Sequence, residues 1–207
     1  MAQPQLVAAR QRQSPGARRF PDVTLQTHDG KPVRFYSDLI SNRVVVFNMT
    51  YTTCNNRCPP MTRNLLDVQR LLGARLGREV FMYSLSVYPE ADQPRDLKAY
   101  MQQSQVGPGW TFLTGQPDDI DRARRSLGFN DRNPAIDRDR TQHTGMLRIG
   151  NDALDRWCTA PALAEPELIV EAVMAVDPAG RAERDAARRA GQRSTTGERA
   201  PPARAAT

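Results

Sequence analysis

Apolar positions along the chain follow two periods in alternation, and the switches between them outline the elements. Asp22–Gln26 alternates apolar with polar residues, His28-Asp29-Gly30-Lys31 has turn chemistry, and Val33–Tyr36 resumes the alternation, which predicts a β-hairpin. Arg43–Met49 (RVVVFNM) is a β-branched run of the kind that forms a strand covered on both faces. Met61, Leu65, Val68, Leu72 and Leu76 then recur every three or four residues, predicting an amphipathic helix with Pro59-Pro60 in its first turn and Gly77 at its end. Val80–Val87 reads as a second buried strand. A helix over Pro94–Gln103 capped by Asp92, a short strand at Trp110–Leu113 and a short helix at Ile120–Leu127, started by Gln116–Asp119, come next. Phe129–Gln142 is polar and is expected to be a long exposed loop. Thr144–Ile149 and Leu154–Trp157 are expected to pair antiparallel around Gly150-Asn151, and Pro161 to Val176 forms the last helix. This order implies an α/β fold, a central mixed sheet with helices on both faces and an N-terminal hairpin.

Charge then divides the chain. Residues 1–19 contain Arg10, Arg12, Arg18 and Arg19 and no acid, while residues 181–207 contain seven arginines against Glu183, Asp185 and Glu198. Of the net +6, each end therefore carries +4 and residues 20–180 carry −2. The expected organisation is a disordered basic arm over 1–19, one domain over 20–178 and a disordered Arg/Ala-rich tail over 179–207. Because the positive charge sits in the ends, without a patterned basic face or a recognition motif, nucleic-acid binding is not expected. Apolar runs such as Ala172–Val176 are about five residues long, against the ~20 that a membrane-spanning helix needs. Leu6–Ala9 is too short for the apolar region of a signal peptide, so neither an export signal nor an anchor is visible in the sequence as written.

Cysteine usage changes the picture most. The three cysteines do not form a disulfide framework, since Cys54 and Cys58 lie close together and Cys158 is far away. Cys54-Asn-Asn-Arg-Cys58 falls between a predicted buried strand and a predicted helix, where α/β folds place ligands. Free N–H groups at the helix start, with Arg57 beside them, favour thiolate over thiol, so at least one of the pair is expected to have a lowered pKa. Three intervening residues differ from the C-x-x-C redox motif, and a zinc knuckle would need a second pair. Only His28, His143 and Cys158 remain to join the two thiols, a set that suits soft Cu(I) better than four-coordinate zinc. Two unrelated neighbouring cysteines would be the bland alternative; free thiols expected in an exposed loop before a helix are not the inert kind. A peroxiredoxin pattern is excluded, because Phe47 and Tyr51 occupy its proline and threonine positions. Met49, Met146 and Cys158 sit in apolar patterns and read as core.

Tyr51-Thr-Thr-Cys54-Asn-Asn-Arg-Cys58-Pro59 resembles the Y-T-x-C-x-x-x-C-P signature of the Sco/SenC family, copper-handling factors of cytochrome c oxidase assembly. Ser84–Pro94 is similar to that family's S-V-D-P-x-x-D-T-P segment, and Trp110–Gly115 to its W-x-F-L-T-G strand. The resemblance spans about Phe20 to Val176 and implies a thioredoxin-like fold. It also implies copper bound, as Cu(I) or the harder Cu(II), by Cys54, Cys58 and His143. The implied partner is the copper-site subunit of cytochrome c oxidase or another copper or thiol protein, and the implied location is the periplasm or a membrane surface facing it. Gln142 and Tyr88 stand where the family has acids, which removes carboxylates that would help orient an imidazole. The expected function is that of a copper metallochaperone or thiol reductant serving a copper site. The alternative is a thiol–disulfide oxidoreductase without physiological copper, for which Cys54 and Cys58 suffice as the reactive pair.

Overall fold

The computed structural model of the chain describes residues 15–139, 144–179 and 182. In chain order the elements are α1 (Pro15–Arg19), β1 (Thr24–Thr27), β2 (Pro32–Arg34), a π-helical turn (Phe35–Ile40), β3 (Val44–Thr50), α2 (Cys58–Leu72), β4 (Val80–Ser86), α3 (Pro94–Gln103), β5 (Trp110–Gly115), α4 (Pro117–Ser126), α5 (Pro134–Arg138), β6 (Met146–Asn151), β7 (Arg156–Pro161) and α6 (Pro166–Val176). The strands form one sheet in the order β2-β1-β5-β4-β3-β6-β7, with β3, β4 and β5 mutually parallel and the outer pairs antiparallel.

All seven residues of β3 are buried because both faces of the sheet are covered. Val44 and Val46 pack with Met61, Leu65 and Val68 of α2 and with Ile169 and Val173 of α6. Val45, Phe47 and Met49 point the other way, into Phe35 and Ile40 of the π-helical turn and Ile120 and Ala123 of α4. A polar chain fastens the three parallel strands within this core: the Trp110 indole N–H donates to Ser84 Oγ (2.8 Å), and the Ser84 hydroxyl donates to Asn48 Oδ1 (2.7 Å). Such a bond satisfies groups whose burial would otherwise be costly, and it disfavours a register slip.

Several boundaries depart from the periodic reading. The second hairpin strand stops at Arg34, because the Asp22 carboxylate accepts the N–H groups of Tyr36 (3.1 Å) and Ser37 (2.9 Å) and turns the chain into the π-helical turn. The long helix ends at Leu72, not Gly77, since Gly73 adopts φ 53° and breaks the ladder. Asp92 does not cap α3: Gln93 is the cap, in a reciprocal box with Asp96. Gly150-Asn151 lies within β6, and the turn is Asp152–Asp155; the Trp157 ring covers Gly150 so closely that a Cβ would overlap it. The last helix starts at Pro166, because Pro161 closes β7 and Asn64 holds the Ala162 and Ala164 carbonyls in a loop.

Within the expected exposed loop, Phe129 is buried and α5 is held to α4 by Asp137. Pro15–Arg19, assigned to the basic arm, is helical, with Gly16 buried and Arg19 paired to Asp155 (3.1 Å). Residues 1–14 and most of 179–207 lie outside the described residues.

Candidate metal and thiol centre

The β3 strand ends at Thr50, whose carbonyl accepts the Val87 N–H (2.9 Å) at the C-terminal edge of the parallel strands. A short loop carries Cys54, and Cys58 opens α2 with prolines behind it. Both thiols are buried, at 5% and 1% exposure, whereas the pair was expected in an exposed loop; Asn55, Asn56 and Arg57 between them take the solvent. The loop folds back through the Cys54 N–H to the Tyr51 carbonyl (3.2 Å).

No side chain caps α2 at Arg57, and the Cys58 N–H donates instead to Cys54 Sγ (3.2 Å). A sulfur thus occupies the acceptor position that a helix start leaves open. Burial works against ionising Cys54. It is outweighed by hydrogen bonds from the Cys58 thiol, from the N–H groups of Cys58 and Asn56 and from the Tyr51 hydroxyl, so the Cys54 pKa falls below the ordinary thiol value. Burial, reinforced by the hydrogen bond to Cys54 and its charge, drives Cys58 upward. Tyr51, donating to Cys54, is pushed up to about 12. Of the two sulfurs, Cys54 is therefore the one on which negative charge is better accommodated, because the donors converge on it. On the α3 side, Tyr100 shares a 2.9 Å hydrogen bond with Thr62, one turn into α2, and feels the charge of both cysteines.

Beneath the loop lies a residue whose role the sequence reading did not find. Asp92 is fully buried and accepts the Thr52 hydroxyl (2.6 Å), the Thr52 N–H (3.2 Å) and the Ser86 hydroxyl (2.5 Å). The signal available for it was its place in the Ser84–Pro94 segment.

His143 and Gln142 lie outside the described residues, as do their two predecessors; Asp139, just before them, acts electrostatically on Tyr51. Tyr88 is 37% exposed, its N–H bonded to Ser86 Oγ (3.0 Å). His28 belongs to the hairpin end, where its Nδ1 accepts the Phe112 N–H (3.3 Å). Cys158 packs under α6 with its sulfur 3.9 Å from the Ala172 carbonyl. Met49 is buried; Met146 is half-buried, and both line a cavity of about 560 Å³ with Val87, Phe129 and Arg148. Among the described residues no three His, Cys, Asp or Glu side chains cluster as a metal site. The donor set on hand is two sulfurs in mutual hydrogen-bonding contact, one already biased to thiolate, which fits a soft monovalent metal of low coordination number.

Fold and site together define a thioredoxin-like protein with a buried C-x-x-x-C thiol pair at the start of its first long sheet-packed helix. Residues 11–176 match the SCO1/SenC family, and the chain belongs to it. It is 37% identical over 93 residues to the SCO1 protein homolog of Bacillus subtilis, a stretch of 44% of this chain and 47% of that protein, so the match spans about half the length of that relative. Among solved structures, BsSco, a member of the Sco family of cytochrome c oxidase assembly proteins with a disulfide switch, is 27% identical with a TM-score of 0.60, over 76% of this chain and 92% of that one. Bradyrhizobium japonicum ScoI with copper bound is 25% identical with a TM-score of 0.59, over 74% and 96% respectively.

Proposed function

We propose that this chain is a copper-handling Sco protein that serves assembly of a copper site in cytochrome c oxidase. The observation that carries the proposal is the buried Cys54–Cys58 pair, with Cys58 N–H, Asn56 N–H and the Tyr51 hydroxyl all stabilising a thiolate on Cys54. In this reading Cys54 and Cys58 bind Cu(I) as cargo, and His143 completes the ligand set. Support comes from membership of the family and from the copper-bound relative from Bradyrhizobium japonicum. In this reading the protein acts in the periplasm or at a membrane surface facing it, as the family resemblance implies. Titration of the reduced protein with Cu(I) should saturate near one equivalent. Cys54→Ala and Cys58→Ala should each abolish that binding, and His143→Ala should weaken it; cysteine variants that bind like the parent would refute the site.

The close approach of the two free thiols, with the Cys58 N–H on Cys54 Sγ (3.2 Å), favours a second activity, reduction of a partner's disulfide. The Cys54 thiolate attacks one sulfur of the partner bond, and the other leaves as a thiolate that takes the Cys58 proton. Cys58 then attacks Cys54 Sγ and displaces the first partner sulfur, which is protonated from water. Two electrons pass, the partner holds two thiols and a Cys54–Cys58 disulfide forms. His143→Ala separates the two readings, because exchange needs the thiols alone. Retained exchange with weakened copper binding supports a ligand role for His143, and equal loss of both opposes it.

A further inference from the structure

The two sulfurs hang from different parts of the fold. Cys58 is the first residue of α2 and is carried by that helix. Cys54 belongs to a loop whose Thr52, two residues earlier, is fastened to Asp92 in the connection between β4 and α3. Asp92 has no exposed surface, and a carboxylate so buried must be met by donors. It takes them from both sides: Ser86 at the end of β4, and the hydroxyl and N–H of Thr52 in the thiol loop. The helix-capping role that its position suggests is already filled by Gln93 and Asp96.

We propose that Asp92 is a positioning residue for the thiol pair, its carboxylate holding Thr52 so that Cys54 stays against the N-terminus of α2 and within reach of Cys58. The copper part of this inference rests on the function proposed above; the disulfide part does not. Asp92→Asn preserves size but replaces one acceptor oxygen by an NH₂ donor, so it cannot accept all its present partners. Thr52→Val removes only the hydroxyl and leaves the carboxylate bonded to Ser86.

The full-length reduced chain is assayed in two ways. Cu(I) affinity is measured by competition with a chromophoric chelator. Ring closure is followed with oxidised glutathione: Cys54 displaces one glutathione to form a mixed disulfide, then Cys58 displaces the second, so two thiols pass two electrons and two protons to yield two reduced glutathiones. Both variants should lose Cu(I) affinity by about tenfold, the lower end for groups that orient metal ligands. Their glutathione adduct should accumulate as closure slows by about tenfold from misplacement of the reacting sulfurs. The double variant should be little worse than the worse single one, since both changes break one contact.

Asp177→Asn is the control. It breaks the 2.5 Å Arg75–Asp177 pair beyond the other end of α2, and should lower Tm while leaving Cu(I) affinity and closure unchanged. If Asp92→Asn folds and matches the parent in both assays, or if the control loses both activities equally, the positioning role is wrong. Should Asp92→Asn fail to fold, Thr52→Val decides alone, with unchanged affinity and closure overturning the inference. A parent chain that binds no Cu(I) would sink the copper function, and the closure assay would still judge Asp92.

Discussion

Asp137 offers the sharpest check on how the segment leading to His143 is held. Its side chain is 4% exposed and accepts Arg124 Nη1 (2.6 Å) and Nη2 (3.0 Å), Arg125 Nη2 (2.6 Å) and the Asp131 N–H (3.0 Å). Arg124, 13% exposed, also donates to the Phe129 carbonyl (2.7 Å), so one cluster ties α5, the loop before it and α4 together. Asp137→Asn keeps the shape and one acceptor oxygen but removes the charge. A charge-assisted hydrogen bond contributes about 1.5–3 kcal/mol. The amide still accepts, Arg124 keeps Asp121, and solvent around the half-exposed Arg125 and Asp121 screens the cluster, so the expected loss is about 1–2 kcal/mol. For a domain of this size that is a fall in Tm of about 3–6 °C.

The pH dependence carries a definite sign. Hydrogen bonds from Arg124 hold the Asp137 carboxyl well below its ordinary 3.8. A depressed carboxylate adds stability that is fully present above its unfolded pKa and is lost as pH falls through the folded value. Urea unfolding of parent and variant should therefore differ by a constant amount at neutral pH; the difference should begin to shrink below about pH 4 and keep shrinking as pH falls toward the depressed folded value. A difference under about 0.5 kcal/mol at pH 7 would refute the clamp, as would one that persists undiminished at pH 3.

Two further outcomes follow from the site and the sheet. Limited iodoacetamide treatment of reduced protein should modify Cys54 well before Cys58, with a rate that rises through a midpoint below the ordinary thiol pKa, because alkylation consumes thiolate. Peptide mapping that finds Cys58 first would reverse the assigned roles. Gly150→Ala should cost about 1–3 kcal/mol, since its Cβ would overlap the Trp157 ring, which is wedged beside Phe20 and Arg19. A melting temperature equal to the parent's would show that the ring is free to move aside.

The chain's one-dimensional pattern determined the elements that bury a whole face. β3 reads as a strand because seven consecutive positions suit a sheet covered on both sides, and α2 reads as a helix because Met61, Leu65, Val68 and Leu72 return every turn. It also placed Cys54 and Cys58 between those two elements, and the motif around them pointed to the family. Tertiary structure decided what depends on partners distant in sequence. Asp92 looks like a local cap until Thr52, 40 residues earlier, is brought onto it. Gly150 looks like a turn until Trp157 folds across it, and Phe129–Gln142 looks like free loop until, in its described part, Asp137 meets Arg124. The burial of both thiols and the donors gathered on Cys54 belong to this second group. Periodicity reports which side of an element faces the core, whereas a hydrogen bond across the fold leaves no repeat in the sequence.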